Sequence, residues 1–405
     1  MYHLGVMVRK ILHLDLDAFF CAVEEQYDSS LHGKAFAVGG RPDERGVVAS
    51  CSYAARLFGI HSAMPMSQAV RLCPDLIIVS SRHGEYGRRS KLVMRHLHNL
   101  TPLVEQISID EAFLDVTGRQ EKASVLARQL QKTINSEEGL PCSLGVATSK
   151  LVAKIANNVG KSETKATKPG QLPNAIKVVL PGQEAAFLAP LPVRELWGVG
   201  PKTEERLIEI GLQTIGDIAE CPEEDLIRRF GKHGSDLSRR ARGIDERPLE
   251  TEHETKSVSQ ETTFAQDIGD EITLKRTLLK LSEGVGRRLR KAGLAGRTVT
   301  LKLRWADFTT LTRQMTLDHP ANTTEEIYGL AERLFMQTWI KGKAVRLLGV
   351  GVSGFDAQPR QLGLWDPVPE IDTRLDETLD HLRDRFGRRA VRRASDLWLD
   401  EETGE

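Results

Sequence analysis

The stretch ILHLDLDAFFCAVEE, residues 11–25, decides how the rest of the chain is read. Ile-Leu-His-Leu is an apolar run of strand length that enters Asp15-Leu16-Asp17. Such a run predicts a buried strand over 9–16. The pattern then turns helical, with a helix predicted over about Ala18–Tyr27. Asp17 is placed to cap it, since its carboxylate can accept from the free amides of the first turn. Asp15 therefore stands at the end of a buried strand.

Working outward, 34–40 and 46–51 are predicted strands joined by a polar loop containing Pro42. Short helices follow over Ser52–Phe58 and from Ser67, then a long amphipathic helix over 84–100. Residues 103–116 predict a β-hairpin with Ser108-Ile109-Asp110-Glu111 at its tip. A helix (121–135), a strand (142–147) and a helix over Lys150–Val159 complete an α+β domain around an antiparallel sheet. Residues 171–245 hold short helices broken by Gly and Pro and no clear strand. The polar stretch 246–258 reads as a linker. Strands return at 257–264, 298–304, 309–317 and 345–353, with helices near 273–292 and 323–340, a β-α-β-β-α-β pattern. The remainder, 356–405, is Pro-rich and then charged, with one helix predicted over Thr373–Phe386.

The composition sets limits. The chain has 405 residues, 40% hydrophobic and 28% charged, which excludes a disordered or fibrous protein and supplies several cores. No apolar run approaches the ~20 residues that span a bilayer. The stretch after Arg9 and Lys10 is cut by Asp15 and Asp17, so neither a signal peptide nor a membrane anchor is expected. Cys21, Cys51, Cys73, Cys142 and Cys221 form no Cys-x-x-Cys pair, which fits a reducing, cytoplasmic setting. Basic and acidic residues both number 56, so net charge says nothing about nucleic acid. Local charge does. From Lys275 to Arg313, eleven basic residues stand against Glu283 and Asp307, and from Arg228 to Arg247 seven stand against three. These segments either track a polyanion or are solvated faces balanced by acids nearby in space.

Asp15, Asp110 and Glu111 are far apart in sequence, yet all fall at strand ends, where they can converge on one sheet edge. Their repulsion is costly unless cations neutralise it. Mg²⁺ suits such a site, being a hard ion held by a few carboxylates, water and phosphate oxygens. Two such ions ~3.5–4 Å apart form the clamp for in-line phosphoryl transfer. Aspartate at a strand end is also ordinary turn chemistry, and spacing alone leaves the two readings even. Asp115, among apolar neighbours, is read as structural.

Several segments in one order then carry a resemblance. ILHLDLDAFFCAVEE (11–25), VVASCSYAARLFGIHSAMPM (47–66), SIDEAFLDVTG (108–118), SLGVATSKLVAKIANNVGK (143–161), WGVGPKTEERLIEIGLQTIGDIA (197–219) and SVSQETTF (257–264) resemble the motifs of Y-family translesion DNA polymerases, of the DNA polymerase IV type. The resemblance implies a right-hand α+β architecture. The palm would be 1–23 and 85–170, the fingers 24–84, and a thumb with a helix-hairpin-helix 171–245. A linker (246–258), a β-α-β-β-α-β little finger (259–355) and a tail (356–405) would follow. It implies template-directed addition of dNTPs to a primer 3′ end, at low fidelity, without proofreading and across damage.

The resemblance also implies roles. Asp15, Asp110 and Glu111 fall on the catalytic, metal-binding carboxylates, and the backbone carbonyl of Leu16 on a further ligand, with two Mg²⁺ ions as cofactor. Phe20 falls on the steric gate, a ring under the sugar that leaves no room for a 2′-hydroxyl; Phe19 is then a core residue. Ser50, Tyr53 and Arg56 fall on triphosphate contacts, the latter two sharing a helix face at i, i+3. Small Ser62 and Ala63 fit a loose cover over the nascent pair. Lys161 falls on a triphosphate lysine. The chain then departs from the family's short Lys-Pro-Asn-Gly turn, so Lys165 and Lys168 remain alternatives. Gly198-Val199-Gly200-Pro201-Lys202 resembles a hairpin whose free amides bind a DNA phosphate, with Gly198, Gly200 and Lys202 as contacts. Gln361, Leu362, Leu364 and Trp365 resemble the peptide by which bacterial polymerases grip a sliding clamp. Expected partners are primer-template DNA, dNTP and that clamp, with no membrane, and the chain is expected to be a monomer.

Two rivals weigh less. A nucleotidyl cyclase would share the carboxylates but has no duplex for a helix-hairpin-helix to hold. A non-catalytic DNA-binding relative would not need Asp15, Asp110 and Glu111 together.

Overall fold

The computed structural model describes residues 8–252, 254–355, 370–387 and 390–391, without the side chains of 370–374. The chain divides into two units, Met1–His253 and Glu254–Glu405. The first contains β1 (Ile11–Leu16), α1 (Phe19–Tyr27), β2 (Phe36–Gly39), β3 (Val48–Cys51), α2 (Tyr53–Arg56), α3 (Met66–Leu72), β4 (Ile77–Val79), α4 (His83–Leu100), β5 (Val104–Gln106), β6 (Glu111–Asp115), α5 (Ala123–Glu137), β7 (Cys142–Ala147), α6 (Lys150–Thr167), β8 (Ile176–Val178), α7 (Glu184–Leu188), α8 (Pro201–Glu209), α9 (Ile215–Glu220), α10 (Glu223–Phe230) and α11 (Lys232–Ala241).

The apolar run of β1 is covered on both faces, as a central strand requires. It pairs antiparallel with β6 and β7 in a five-stranded sheet of order β5-β6-β1-β7-β8. Side chains alternate between the faces. Leu12, Leu14 and Leu16 enter a core with Phe19 of α1, Tyr86 of α4 and Leu130 of α5. Ile11 enters a second core with Phe113 and the apolar side of α6, which continues into α8–α11. His13 and Asp15 share the parity of Ile11 and so stand on the α6 side. A smaller sheet, β3-β2-β4, carries α2 and α3 on its own core.

The close seat of α6 on the sheet depends on Gly145 in β7. A Cβ built there would lie 1.8 Å from the Ala153 carbonyl oxygen and 2.6 Å from the Asn157 amide nitrogen. Only glycine lets the helix backbone come that near.

Three sequence expectations are corrected. Asp17 does not cap α1: the N-cap is Ala18, in the left-handed region at φ 46°, with no side-chain hydrogen bond. Asp17 is instead fully buried and accepts from Ser143 Oγ (2.7 Å) and the Asn174 amide (2.9 Å). The helix expected over Lys150–Val159 runs on to Thr167. Residues 171–245 do contain a strand, β8, which pairs in parallel with β7 and extends the first sheet.

The second unit contains β9 (Ser257–Ile268), α12 (Glu271–Lys291), β10 (Gly296–Trp305), β11 (Thr310–Ala321), α13 (Thr324–Thr338), β12 (Val345–Ser353) and α14 (Glu370–Phe386). Its sheet has the order β11-β10-β12-β9. Leu278 and Val285 of α12 and Phe335 of α13 fill the core against Val299, Leu301 and Val350. Among the described residues, three of the seven basic residues of α12 form ion pairs within the unit. Arg290 pairs with Asp376 (3.0 Å) and Asp380 (2.8 Å) of α14, and Arg287 with Asp384 (2.5 Å). Lys275 meets Glu271 and Glu332.

The Gly145 contact yields a prediction. Gly145→Ala forces α6 off the sheet, because backbone rather than a side-chain tip stands in the way. The expected loss is about 3 kcal/mol or more of unfolding free energy, read from urea denaturation of the first transition. A melt unchanged within about 0.5 kcal/mol would contradict the close packing.

Candidate active site

The end of β1, the start of α1 and the β3–α2 turn enclose an open cleft. Asp15, Leu16, Phe20, Ser50, Tyr53, Arg56, Asp110 and Lys161 all line it. These residues come from four separate sequence segments. The sheet register explains the acidic end. Asp15 lies opposite Glu111 across the β1–β6 pair, and the Leu16 amide donates to the Asp110 carbonyl at 2.9 Å. Glu111 is not part of the lining; its carboxylate turns to His13 Nε2 (2.6 Å) and to Lys154 Nζ.

Each acid has its own electrostatic setting. Burial raises the Asp110 carboxyl above the usual range, the charges of Asp15 and Glu111 push the same way, and the Ser108 hydroxyl (2.5 Å) opposes them. Burial would also raise Glu111, but His13 and Lys154 outweigh it and hold it at about 2. Lys161 Nζ donates to Asp15 (2.5 Å) and lies 3.1 Å from Asp17. Burial disfavours the Lys161 ammonium, yet these two carboxylates hold its pKa well above the ordinary lysine value. Burial lowers His13 and keeps it neutral near pH 7 despite Glu111.

A divalent cation fits the donor chemistry: hard carboxylate oxygens at strand ends, in a field that already raises Asp110 and attracts two ammonium groups. Among the described residues no three His, Cys, Asp or Glu side chains are gathered as a ready-made metal cage. Lys154 and Lys161 hold the positive charge beside Glu111 and Asp15.

The opposite end of the cleft is aromatic and basic. Ser52 caps α2 by accepting from the Ala55 amide, which sets Tyr53 and Arg56 on one side. The Arg56 guanidinium lies 4.4 Å over the Tyr53 ring, and its buried Nε has no hydrogen-bond partner among the described residues. Burial pushes the Tyr53 hydroxyl up to about 12. Lys165 Nζ sits 5.6 Å from the same ring, while Lys168 is the C-cap residue of α6 and does not line the cleft. Ser62 lines the cleft, and Ala63 beside it has a left-handed φ of 67°.

Phe19 and Phe20 part company as their helix positions require. Phe19 is buried in the first core. Phe20 is half-buried at the cleft wall and stacks on Tyr86 at 4.1 Å and 10°. The Tyr86 hydroxyl donates to Glu24 at 2.5 Å, and Arg82 lies 3.4 Å from that carboxylate.

Away from the cleft, Gly198 has φ 102°, and Gly200 is the N-cap of α8, with Pro201 in its first turn. Lys202 is exposed beside this hairpin. Arg240 Nη1 donates to the Trp197 carbonyl at 3.3 Å and braces it. Gln361, Leu362, Leu364 and Trp365 lie outside the described residues.

Sequence reading passed over His13, Tyr86, Lys154 and Asn157. The signal for two of them was the spacing of Lys150, Lys154, Asn157 and Lys161, a row of one helix face. Nothing local marked Tyr86 or His13.

With this geometry in view, the matches to known proteins fall into place. Residues 14–158 match the impB/mucB/samB family, 255–364 that family's C-terminal domain, and 181–212 the IMS family HHH motif. The chain belongs to this family, that of the Y-family DNA polymerases, and has its right-hand fold. A DNA polymerase IV of Dehalococcoides mccartyi (strain CBDB1) is 41% identical over 384 residues, 94% of this chain and 95% of that one. The solved Y-family DNA polymerase chimera Dbh-Dpo4(243-245)-Dbh shares the fold at a TM-score of 0.75 and 27% identity, over 85% of this chain and 99% of that one. An insertion ternary complex of Dbh DNA polymerase gives 0.60 at 27% identity, over 85% and 99%.

The two phenylalanines should separate by experiment. Phe20→Val opens space beside the cleft and should admit ribonucleotides, while deoxynucleotide addition suffers less. Phe19→Ala should cost ~3–5 kcal/mol of stability and leave sugar choice alone. The readout is the ratio of kcat/KM for deoxy- and ribonucleotide. A ratio that moves with Phe19 rather than Phe20 assigns the gate to the wrong ring.

Proposed function

We propose that this DNA-directed DNA polymerase carries out translesion synthesis in the cleft between Asp15–Asp110 and Tyr53–Arg56, at low fidelity and without proofreading. One observation carries the reading: two carboxylates, an aromatic wall and the Arg56 guanidinium, with its unpartnered Nε, face one open cleft. Asp15, Asp110, Glu111 and the Leu16 carbonyl would hold two Mg²⁺ ions, which supply charge neutralisation at the attacking and leaving oxygens.

The chain's own residues do the rest. Arg56, with a free Nε and a planar fork, takes phosphate oxygens of the incoming dNTP, with Ser50 and Tyr53 beside it. Lys161 reaches the same triphosphate from α6, with Lys165 a second cation behind Tyr53. Phe20 lies under the sugar and excludes a 2′-hydroxyl by contact. Ser62 and Ala63 leave the cover over the nascent pair small, which fits tolerance of damaged templates. Gly198, Gly200 and Lys202 offer free amides and one cation to a primer-template phosphate, a contact blind to sequence. The Gln361–Trp365 peptide is proposed, from its sequence alone, as the grip on a sliding clamp.

Asp110→Asn tests the carboxylates. The amide keeps the size and the Ser108 contact but removes the charge. Nucleotide addition should fall by at least ~10³-fold, with DNA binding and thermal unfolding nearly unchanged. Normal primer extension in Mg²⁺ would sink the assignment.

Duplex binding should be driven by the backbone. Log affinity is expected to fall linearly with log salt, with little preference for sequence. Because Arg287 is already paired with Asp384 of α14, Lys202→Ala should reduce the salt slope by about 1, whereas Arg287→Ala should leave it unchanged. A salt-insensitive affinity would contradict the hairpin reading.

A further inference from the structure

Glu111 is held by a group with no role in the scheme above. His13 precedes Asp15 by two residues on β1, so both project from one face. In the register Asp15 is opposite Glu111 and His13 opposite Phe113, which puts Glu111 on the diagonal from His13, within reach of its ring. His13 Nε2 lies 2.6 Å from Glu111 Oε1, and Nδ1 lies 2.9 Å from Asn157 Nδ2.

The Asn157 amide has one tenable orientation. Its Nδ2 also lies 3.1 Å from the Ser143 carbonyl oxygen and 3.5 Å from that of His13. Turned round, its oxygen would face both carbonyls. Asn157 Oδ1 is left without a partner among the described residues, a smaller cost than that repulsion. Nδ2 therefore donates, and His13 Nδ1 must accept. The single proton of the neutral ring sits on Nε2 and points at the carboxylate. His13 and Asn157 are each 1% exposed, so bulk water does not compete.

We propose that His13, locked in its Nε2–H tautomer by Asn157, is a positioning residue that fixes the Glu111 carboxylate for nucleotidyl transfer. The inference rests on the reading of Glu111 as a carboxylate of the reacting site. Lys154, the other partner of Glu111, is a point charge on a flexible stem and supplies charge without direction. The imidazole is a rigid ring on a central strand and supplies direction, as groups behind metal-binding carboxylates do.

The test uses the full chain. In ¹⁵N-histidine-labelled protein without DNA or nucleotide, the His13 signal, assigned by its loss in His13→Gln, should show a protonated Nε2 and a bare Nδ1. Asn157→Asp, whose carboxylate only accepts, should add a proton on Nδ1 and leave the ring doubly protonated between two carboxylates. In primer extension His13→Phe should lower kcat about 10-fold or more, with the KM for dNTP within about two-fold. His13→Gln, with an amide N–H near the Nε2 position, should recover most of that loss. A wild-type ring protonated on Nδ1, or a Gln variant as slow as the Phe variant, would overturn the proposal. If His13→Phe does not fold, the Nδ1 signal decides: bare in wild type and protonated in Asn157→Asp. Glu111→Gln keeps the two readings apart: normal extension by that variant removes Glu111 from the reaction, and the positioning role with it, whatever the tautomer.

Discussion

Lys150, Lys154, Asn157 and Lys161 fall at i, i+4, i+7 and i+11 on α6, one row of a helix with 3.6 residues per turn. Each meets a polar group of the sheet beneath. Lys150 Nζ donates to both oxygens of Glu105 on β5 (2.9 and 2.7 Å), Lys154 to Glu111 on β6, Asn157 to His13 on β1, and Lys161 to Asp15 at the end of β1. Two like charges at ~4 Å repel by roughly 4 kcal/mol at an effective dielectric of ~20. Acids on neighbouring strands therefore need this row of ammonium groups, and the row reaches them only because Gly145 lets α6 lie close.

The partners differ in burial, and so in role. The side chains of Lys150 and Glu105 are 5% and 6% exposed, and Glu105 also accepts the Glu250 amide at 2.9 Å. A buried pair with its lone pairs satisfied fixes register more than it adds stability. At the other end of the row, Asp15 is 29% exposed and opens on the cleft. An ammonium there is a mobile charge that can exchange partners without moving the backbone. Along one helix face, the pairs thus grade from buried anchor to open cleft.

This row also marks where sequence reading stops. An apolar run of strand length and the Asp-x-Asp ending made β1 legible, and the hairpin tip placed Asp110 and Glu111 beside it. The extent of α6 was not legible, because Gly160 and the polar run after it look like a loop. The helix nonetheless runs on, with Glu163 paired to Lys177 of β8 and the Thr164 and Thr167 hydroxyls bonded back to the carbonyls of Gly160 and Glu163. The capping rule failed at Asp17 for a similar reason. Ser143 and Asn174, more than a hundred residues away, offer it better donors than the first turn of α1. The charge of α12 was ambiguous until α14 supplied Asp376, Asp380 and Asp384 at helical spacing. Local rules read local contests, and each of these was settled by a distant partner.

The gate proposed at Phe20 asks more of a side chain than position, because a ring that can retreat excludes nothing. Phe20 is backed by Tyr86, a fully buried ring in near-parallel contact. Tyr86 is in turn fixed at its far end by Glu24, a carboxylate 1% exposed, whose second oxygen faces Arg82. A hydrogen bond to a buried carboxylate is worth about 1.5–3 kcal/mol, and it pins the far end of the Tyr86 ring. Phe19 packs against the edge of Tyr86 from the core side, with centroids 6.3 Å apart. The stiffness of the cleft wall at Phe20 is therefore set in the core, by a tyrosine more than sixty residues downstream and the acid on which its hydroxyl rests.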